Sequence, residues 1–399
     1  MQRLEHAPRP DWRTRVETAG LTFHSPDDLS SALPGAVYWD ESAHYEFASA
    51  EIDMLESAAN ELQTMCLAAA QHVIDRNRYA DLTIPSGAVP LIQWAWQNEP
   101  PALYGRFDMM YNGHGAPRLL EYNADTPTSL LEAAVIQWDW LKDTNPHADQ
   151  FNSLHERLIA KWQDIAPYLR QPVHFASVDT DEDMLTTTYL RDTAQQAGLR
   201  TEQLLMHEIG WDDSANRFVD LKNDTIYSLF KLYPWETLLA EPYGPAALAF
   251  YRNVTWIEPI WKMLLSNKGI LPILWELYPN HPLLLEAYFD EPHGMREYVR
   301  KPLLSREGAN ITLVSQQGTT QTTGEYGRGR FICQALAPPA SFEAGGEALR
   351  LYDQPGGADL RYPVLGLWMI DQECGGMGVR ESRTAITGNL SSFVPHLFR

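Results

Sequence analysis

Apolar residues recur at helical spacing along residues 50–76 and would form one buried face of a long helix. Cys66 lies on that face, so we expect it in the core rather than as a nucleophile. Further helical patterns are predicted at residues 129–141, with Thr128 as the N-cap, at residues 149–162 and at residues 258–277.

Runs of β-branched and aromatic residues predict strands in the second half of the chain. In the middle section, VHFASV, TEQLLMHEI and TIYSLFKLY alternate with a helical pattern that ends near residue 197. Strands that alternate with helices indicate a mainly parallel α/β layer. Towards the C-terminus, YVRKPLL, ITLVS and RFICQAL are strands in a Gly-containing context of α+β character. We therefore expect an α/β and α+β fold of two or three packed subdomains.

Two short segments of alternating pattern, RFDMMY and RLLEYN, are joined by a Gly-containing turn and predict a β-hairpin. A hairpin centred between residues 114 and 115 would pair Asp108 with Glu121. The same register would pair Arg106 with Asn123. Because side chains alternate between the faces of a strand, these four polar groups would share one face, with Leu120 on the opposite face.

That polar patch suits a hard cation. Mg²⁺ takes oxygen ligands and usually binds through one or two carboxylates together with substrate phosphates. Two carboxylates directly opposite each other repel, and a bound cation would remove the repulsion. The alternative is a surface hairpin whose polar face is merely solvated. The pattern favours a metal site formed by Asp108, Glu121 and Asn123.

Composition narrows the possible partners. The chain has 399 residues, of which 52 are acidic and 31 are basic, and its formal charge is −21. Such a charge repels nucleic acids and anionic membranes, so we expect small-molecule partners. Three widely separated cysteines without a CxxC pair argue against disulfides and structural zinc. The polar start and the lack of an apolar run of about 18 residues predict a cytoplasmic protein.

Two lysines and a Gly-containing tract are candidates for phosphate binding. Lys268 lies in LSNKG, Lys301 lies in KPLLSREGANI, and residues 318–330 read GTTQTTGEYGRGR. Neither a Walker sequence nor GxGxxG is present, so this is neither a P-loop nor a Rossmann site. Surface lysines and a hairpin loop are the alternatives. Arg380 follows a strand-like run, WMIDQECGGMGV, and by itself could be an ordinary ion-pair arginine.

Taken together, YGRFD, LEYNADTPTSLLEA, LYPWE, LSNK, KPLLSREGANI and FVPH resemble the glutathionylspermidine synthase-like family of acid–amine ligases. The likeness covers essentially residues 1–399 and implies an ATP-grasp fold with a pre-ATP-grasp-like α/β subdomain and a Gly-containing lid. The metal residues precede the lysines, which is similar to a circularly permuted ATP-grasp arrangement. The implied division is residues 1–165 with the metal-binding hairpin at 104–131, residues 166–260 as an α/β substrate-side subdomain, and residues 261–399 as the ATP-grasp part with the lid at 318–330.

The resemblance also implies roles for individual residues. Two Mg²⁺ ions on the ATP phosphates would be held by Asp108, Glu121 and Asn123, with Glu121 bridging them. Arg106 and Arg380 would be catalytic, stabilising the transferring phosphoryl group and the developing oxyanion. The implied ATP-binding residues are Arg106, Lys268, Lys301, Gly308, Gln334, Ala335, Gly324 and Gly327. The implied substrate-binding residues are Thr126, Thr128 and Ser129.

The implied reaction is ATP-dependent amide formation between a peptide-like or glutamate-like acid and an amine, through an acyl phosphate. Pro127 fixes the backbone beside the metal triplet, which leaves the use of glutathione and spermidine open. The bifunctional members carry an N-terminal amidase domain for which this chain has no room, so we expect no amidase activity. A non-catalytic nucleotide-binding protein on the same fold and a metal-dependent hydrolase are the alternatives.

Overall fold

The computed structural model describes residues 1–26, 37–306, 308–324, 329–337, 341–343, 348–349, 360–388 and 391–399. The α-helices in these residues are Trp12–Thr18, Ser49–Asp75, Val89–Asn98, Gln137–Thr144, Leu154–Ile165, Asp181–Gln196, Trp235–Ala240, Gly244–Ala249 and Ile270–Leu277. The 3-10 turns are Arg78–Ala80, Ala166–Tyr168, Met206–Glu208, Tyr251–Asn253 and Ile260–Leu264. The strands form several sheets around two apolar core clusters, so the protein has a mixed α/β fold.

The middle of the chain forms a four-stranded parallel sheet, as the sequence predicted. Its strands, in spatial order, are Thr255–Ile257, Ser228–Leu232, Val173–Ser177 and Thr201–Leu205. All five residues of Val173–Ser177 are buried, as expected for a strand covered on both faces. The helix Asp181–Gln196 makes the crossover to the next strand of this sheet.

The largest sheet has seven strands and joins the N-terminal hairpin to the end of the chain. Its strands are Tyr104–Met110, Arg118–Asn123, Ser341–Glu343, Ala348–Leu349, Leu360–Ile370, Glu373–Ser382 and Ser392–Val394. The strand Leu360–Ile370 is central because it pairs with Tyr104–Met110 on one side and with Glu373–Ser382 on the other. The helix Ser49–Asp75, predicted at residues 50–76, packs against this sheet through its apolar face, which includes Cys66.

A five-stranded antiparallel sheet contains the three C-terminal strands predicted from the sequence. In spatial order its strands are Ala287–Phe289, Phe331–Ala335, Tyr298–Pro302, Thr312–Ser315 and Gly318–Gln321. Two smaller sheets are formed by Gln2–Glu5, Ala43–Phe47 and His396–Phe398, and by Gly210–Asp212 with Arg217–Val219.

Two predicted segments are interrupted in the structure. The strand-like run at 368–379 is a hairpin, because Asp371 and Gln372 have φ values of 52° and 66° and reverse the chain between two strands. Residues 258–277 form a 3-10 turn and a separate helix rather than one helix. At the break, the Asn267 side chain accepts a hydrogen bond from the Gly269 N–H (2.8 Å) and donates one to the Leu82 carbonyl (2.8 Å).

The helix predicted at residues 129–141 begins one residue later and contains a π-helical segment, Glu132–Ile136. Ser129, just before it, has a φ of 66°, an uncommon conformation for a residue other than glycine. Thr128, the expected N-cap, instead offers its carbonyl oxygen to Arg106. The helix predicted at 149–162 is Leu154–Ile165. None of the helices in the described part of the chain has the length and apolarity needed to cross a membrane.

Candidate active site

The predicted hairpin register is present. Asp108 lies opposite Glu121, and Arg106 lies opposite Asn123. The register then shifts by one residue, so that Met109 pairs with Leu119 and one strand carries an extra residue, which is a β-bulge. We expected Leu120 on the face opposite Glu121, but this prediction was wrong: Leu120 lines the same cavity as the polar groups, because the bulge falls at this position.

The polar face of the hairpin continues across the seven-stranded sheet. Gly366 lies directly opposite Asp108, Trp368 lies opposite Arg106, and Arg380 belongs to the next strand of the same sheet. These residues line one side of a cavity of about 710 Å³. A Cβ atom at position 366 would lie 2.9 Å from the Arg106 Cδ atom, so only glycine leaves room for this arginine to cross the neighbouring strand.

The opposite side of the cavity is formed by one face of the five-stranded sheet. Val299 pairs directly with both Leu313 and Gln334, and Lys301 follows two residues further along its strand. All four side chains line the cavity, as do Leu285, Ala335, Leu336 and Ala337. This side is therefore a largely apolar slot with one lysine and one carboxamide.

Hydrogen bonds connect the two sides of the cavity. Lys301 Nζ donates to the Leu120 carbonyl oxygen (3.1 Å) and to Gln334 Oε1 (2.7 Å). Gln334 Nε2 donates to the Leu119 carbonyl oxygen (3.0 Å). Burial lowers the pKa of Lys301 to about 8, because removal from water disfavours the ammonium form. The bulged strand thus carries polar groups of the hairpin and also accepts hydrogen bonds from the side of the cavity that contains the apolar slot.

The two hairpin carboxylates meet at the Asn123 amide. Asn123 Nδ2 lies 3.1 Å from Asp108 Oδ2 and 3.2 Å from Glu121 Oε1. Burial raises the pKa of Asp108, although Arg106 contacts both of its oxygens, at 2.6 and 3.0 Å. Burial also opposes ionisation of Glu121, but the charges of Lys268 and Lys301 outweigh it and lower the pKa of Glu121 to about 2.

Lys268 approaches Glu121 from the break between residues 258 and 277. Its Nζ atom lies 2.9 Å from Glu121 Oε2 and 2.6 Å from the Ser305 carbonyl oxygen. Its backbone N–H also donates to Leu303 O (3.0 Å), which holds the lysine beside the strand that carries Lys301. The interruption that the helical pattern did not predict is therefore the feature that directs Lys268 towards the carboxylates.

The donor set fits a hard cation. In the described part of the chain, no three or more His, Cys, Asp and Glu side chains converge as a metal site. A cation here would therefore rest on the Asp108 and Glu121 carboxylates and the Asn123 carboxamide oxygen, with its other ligands from water or substrate. Mg²⁺ commonly binds in this way, with one or two carboxylates and substrate phosphates. The mutual repulsion of the two carboxylates would also be relieved.

Two predicted arginines border the loop between the hairpin and the next helix. Arg106 Nη1 donates to the Thr128 carbonyl oxygen (2.6 Å). Arg380 donates through Nη1 to Ser129 Oγ (3.2 Å) and through Nη2 to the Ser391 carbonyl oxygen (3.0 Å). Arg380 Nε is buried and has no hydrogen-bond partner among the described residues. Because a buried donor without a partner is costly, this N–H is a candidate contact for an anionic ligand.

The remaining predicted residues are distributed around the cavity. Thr126, Thr128, Ser129 and Gly308 line it. Gly308 has a φ of 69°, and a Cβ atom there would lie 2.6 Å from the Thr387 carbonyl oxygen, so both the conformation and the close approach require glycine. Gly324 packs against Ala309 outside the lining. Gly327 and the rest of 325–328 lie outside the described residues.

A protein-family model described as "Glutathionylspermidine synthase preATP-grasp" matches residues 3–399. The chain belongs to this family. This membership confirms the resemblance drawn from the sequence. It also confirms the predicted enzyme class, a carbon–nitrogen ligase. The family also implies an ATP-grasp-like fold and the use of ATP.

Three relatives are similar to this chain over different shares of their own length. A Haemophilus influenzae protein designated an acid–amine ligase is 38% identical over 419 residues, covering 100% of both chains. Trypanothione synthetase of Crithidia fasciculata is 26% identical, covering 82% of this chain and 52% of that protein. Bifunctional glutathionylspermidine synthetase/amidase of Escherichia coli is 28% identical, covering 66% of this chain and 46% of that protein. The chain thus spans about half the length of the latter two.

Several residues that line the cavity were not predicted from the sequence. Arg306 donates to Thr126 Oγ1 (2.7 Å) and to Glu236 Oε1 (2.9 Å), and its place in KPLLSREGANI next to Gly308 could have suggested it. Three acidic residues at the start of a helix, Asp181, Glu182 and Asp183, also line the cavity, as does Tyr38 from the N-terminal part. Acidic residues are ordinary at a helix N-terminus, so the pattern alone gives them no functional meaning.

Proposed function

We propose that this protein is an ATP- and Mg²⁺-dependent acid–amine ligase that forms an amide through an acyl phosphate, from a peptide-like or glutamate-like acid and an amine. The observation that carries the proposal is the convergence of the hairpin carboxylates, Lys301, Arg106 and Arg380 on one cavity of about 710 Å³, with Lys268 paired to Glu121. Phosphoryl transfer requires positioning and charge neutralisation more than a protein nucleophile, and this set of side chains supplies both.

ATP would lie between the two sides of the cavity. The apolar slot beside Gln334 and Ala335 would take the adenine ring, and Lys268 and Lys301 would face the phosphates. Thr312–Ser315 pairs with Gly318–Gln321, and this second strand is the beginning of the predicted lid at 318–330. Gly324 and Gly327 belong to the same predicted lid. Gly308 would let the backbone come close to the phosphates.

The proposed division of the chain follows from this placement. ATP would lie between the part formed by residues 1–165 and the part formed by residues 261–399, with 166–260 on the acid and amine side. The metal residues come before the lysines in the chain, which supports a circularly permuted ATP-grasp arrangement. The pairing of Tyr104–Met110 with the distant strand Leu360–Ile370 is consistent with that order.

Asp108, Glu121 and Asn123 would hold Mg²⁺, with two ions proposed and Glu121 shared between them. Bound Mg²⁺ neutralises phosphate charge and orients the phosphoryl group. The charges of Lys268 and Lys301 keep Glu121 ionised, as a metal ligand must be. Arg106 holds Asp108 through two hydrogen bonds and so fixes the orientation of this carboxylate.

The acid would bind next to Arg106 and Arg380, beside the loop formed by Thr126, Thr128 and Ser129. The unpartnered Arg380 Nε could donate to the carboxylate or to the oxyanion that develops there. Attack of the carboxylate on the γ-phosphorus would form the acyl phosphate and release ADP. Attack of the amine on the acyl carbon would then form the amide and release phosphate.

The amine is proposed to enter past the acidic residues 181–183, because carboxylates at the cavity attract a cationic substrate. The designation of the Haemophilus influenzae relative as an acid–amine ligase supports this reaction class but names neither substrate. The names of the Crithidia fasciculata and Escherichia coli relatives mention trypanothione and glutathionylspermidine. These names support a peptide-like acid and a polyamine-like amine.

The alternative function is nucleotide binding without catalysis. It would require the cavity but not a donor set for a transferring phosphoryl group. The hydrogen bonds that position Arg106, Asp108 and Asn123 with respect to one another favour the catalytic reading.

An isotope-transfer experiment tests the proposal. The enzyme is incubated with Mg²⁺, ATP, an amine and candidate acids labelled with ¹⁸O in the carboxylate. An acyl phosphate must pass one labelled oxygen to the released phosphate, so ¹⁸O-phosphate and amide are expected in equal amounts. ATP binding without ADP formation from any acid–amine pair would support the non-catalytic alternative. ADP formation without label transfer would exclude the acyl phosphate. The surface variant Glu202→Gln serves as the control for protein handling.

A further inference from the structure

A buried Tyr–Glu pair lies beside the part of the cavity where the acid substrate is proposed to bind. The Tyr38 hydroxyl donates to Glu132 Oε1 at 2.6 Å and lies 3.0 Å from Ser129 Oγ. Tyr38 lines the cavity, whereas Glu132 is 1% exposed. The carboxylate is therefore connected to the cavity through the tyrosine hydroxyl.

The surroundings of the pair fix its geometry. Glu132 begins the π-helical segment Glu132–Ile136, and such segments are frequent at functional sites. Ser129 also accepts from Arg380, whose guanidinium carbon lies 5.2 Å from the centre of the Tyr38 ring. The Tyr38 hydroxyl is thus held next to the arginine that the proposed function places at the reacting carboxyl group.

The amine step needs a proton acceptor. Alkylamines are protonated at neutral pH, and only the free amine attacks an acyl carbon. A second proton leaves the nitrogen as the amide forms, and the departing phosphate can accept it. The first proton, on the ammonium nitrogen, needs an acceptor in the protein. Neither Arg106 nor Arg380 can take it, because a guanidinium stays protonated.

Resting on the proposed function, the geometry points to Tyr38 and Glu132 as the relay that removes this proton. The ammonium proton passes to Tyr38 Oη while the tyrosine proton passes to Glu132 Oε1. The free nitrogen then bonds to the acyl carbon, the carbon–oxygen bond to phosphate breaks, and phosphate leaves with the electron pair and the second nitrogen proton. The proton returns to water by the same route after the products leave. Tyr38 contacts the substrate, and Glu132 acts through it.

The charge state of Glu132 agrees with this role. Burial, with a smaller contribution from Glu182, raises the pKa of Glu132 to about 7, although the Tyr38 hydrogen bond and the Arg380 charge lower it. A carboxylate with such a pKa is ionised above about pH 7 and yet accepts a proton readily. The amide-forming step should therefore slow as the pH falls below about 7.

The test compares Glu132→Gln with wild type on two nucleophiles. Gln retains an acceptor for the Tyr38 hydroxyl but cannot take up a proton. With a protonated alkylamine, we expect kcat to fall about 100-fold and its limb near pH 7 to vanish. With hydroxylamine, whose nitrogen is unprotonated at neutral pH, the decrease should be at least tenfold smaller. Tyr38→Phe should reproduce both results, which a general loss of structure would not.

The outcomes separate this inference from the proposed function. Wild-type enzyme that releases no ADP with any acid contradicts the proposed function itself. Active wild type with an unchanged pH limb in Glu132→Gln overturns only the relay. An equal loss with both nucleophiles also overturns it, because the residue would then serve binding or folding. Glu202→Gln, an exposed carboxylate paired with Lys222, is the matched control and should behave as wild type.

Discussion

Two buried or partly buried carboxylates at the ends of residues 121–125 each pair with a lysine, and the two pairs differ in what surrounds them. Asp125 and Lys231 are both 0% exposed and lie 2.8 Å apart. Glu121 and Lys268 lie 2.9 Å apart, with side chains that are 27% and 7% exposed. The first pair is closed and the second is open to the proposed ATP site. The same kind of pair therefore supports the architecture in one place and, in the proposed function, faces a ligand in the other.

The closed pair is satisfied on both sides. Lys231 also donates to the Tyr233 carbonyl oxygen (2.8 Å), and Asp125 also accepts from the Trp235 N–H (3.0 Å). It joins the parallel sheet to the end of the site hairpin. The open pair instead shares Glu121 with Asn123 and leaves oxygen lone pairs for a cation. The charged groups of the closed pair have further hydrogen-bond partners within the protein, whereas the Glu121 carboxylate of the open pair keeps acceptor sites for a ligand.

Breaking the closed pair should have the largest effect on stability. Lys231→Met would leave the Asp125 carboxylate buried without its counter-charge, which typically costs about 3–5 kcal/mol. We expect a loss of this size in the apparent free energy of unfolding, measured by urea denaturation. Lys222→Met, which removes an exposed partner of Glu202, should have a much smaller effect, because solvent screens an exposed pair. Equal losses in the two variants would remove the distinction between closed and open pairs.

Breaking the open pair should affect activity instead. Glu121→Gln keeps the shape of the side chain but removes a charge that would hold Mg²⁺. We expect kcat/KM to fall about 100-fold or more, and Mg²⁺-dependent ATP binding to be lost in calorimetry. The loss of unfolding free energy should be smaller than for Lys231→Met, because Glu121 is 27% exposed and the Gln carbonyl oxygen can still accept from Lys268. Unchanged ATP affinity in the presence of Mg²⁺ would contradict the metal assignment.

The hairpin was predictable because its information is local. Alternation over a few residues fixed which side chains share a face, and the turn fixed that Asp108 meets Glu121. The bulge at Leu120 was not predictable, since its position depends on the pairing of the neighbouring strands rather than on the residue itself. Nor does any local pattern show that Lys268 meets Glu121, because a distant break in a helical pattern brings them together.

The cavity walls show the same limit. Thr126 and Ser129 were predicted from the family resemblance, on the segment that follows the hairpin. Tyr38 and Arg306 come from distant segments, and Glu132 lies three residues beyond Ser129 in an ordinary helical pattern. The buried environment, not the residue type, raises the pKa of Glu132 and leaves Arg380 Nε without a hydrogen-bond partner among the described residues. Such properties arise only from tertiary packing, so a single sequence does not reveal them.

Titration should sharpen the comparison, because a proton can be removed from the open site under mild conditions. Burial lowers the pKa of Lys301 to about 8 from an ordinary value of 10.5. The unfolded chain therefore holds more protons than the folded one between these values, and Lys301 adds to stability as pH rises through that window. ATP phosphates favour the charged form, so binding must take up a proton above pH 8.

We expect ATP affinity to be nearly constant below pH 8 and to fall by up to about tenfold per pH unit above it. Calorimetry in buffers of different ionisation enthalpy should show the matching proton uptake. Lys301→Arg is the control, because a guanidinium remains charged throughout this range and should flatten the profile. A slope that persists in the arginine variant would place the titrating group elsewhere. The closed pair should not contribute to either profile, since its lysine and carboxylate have no access to ATP.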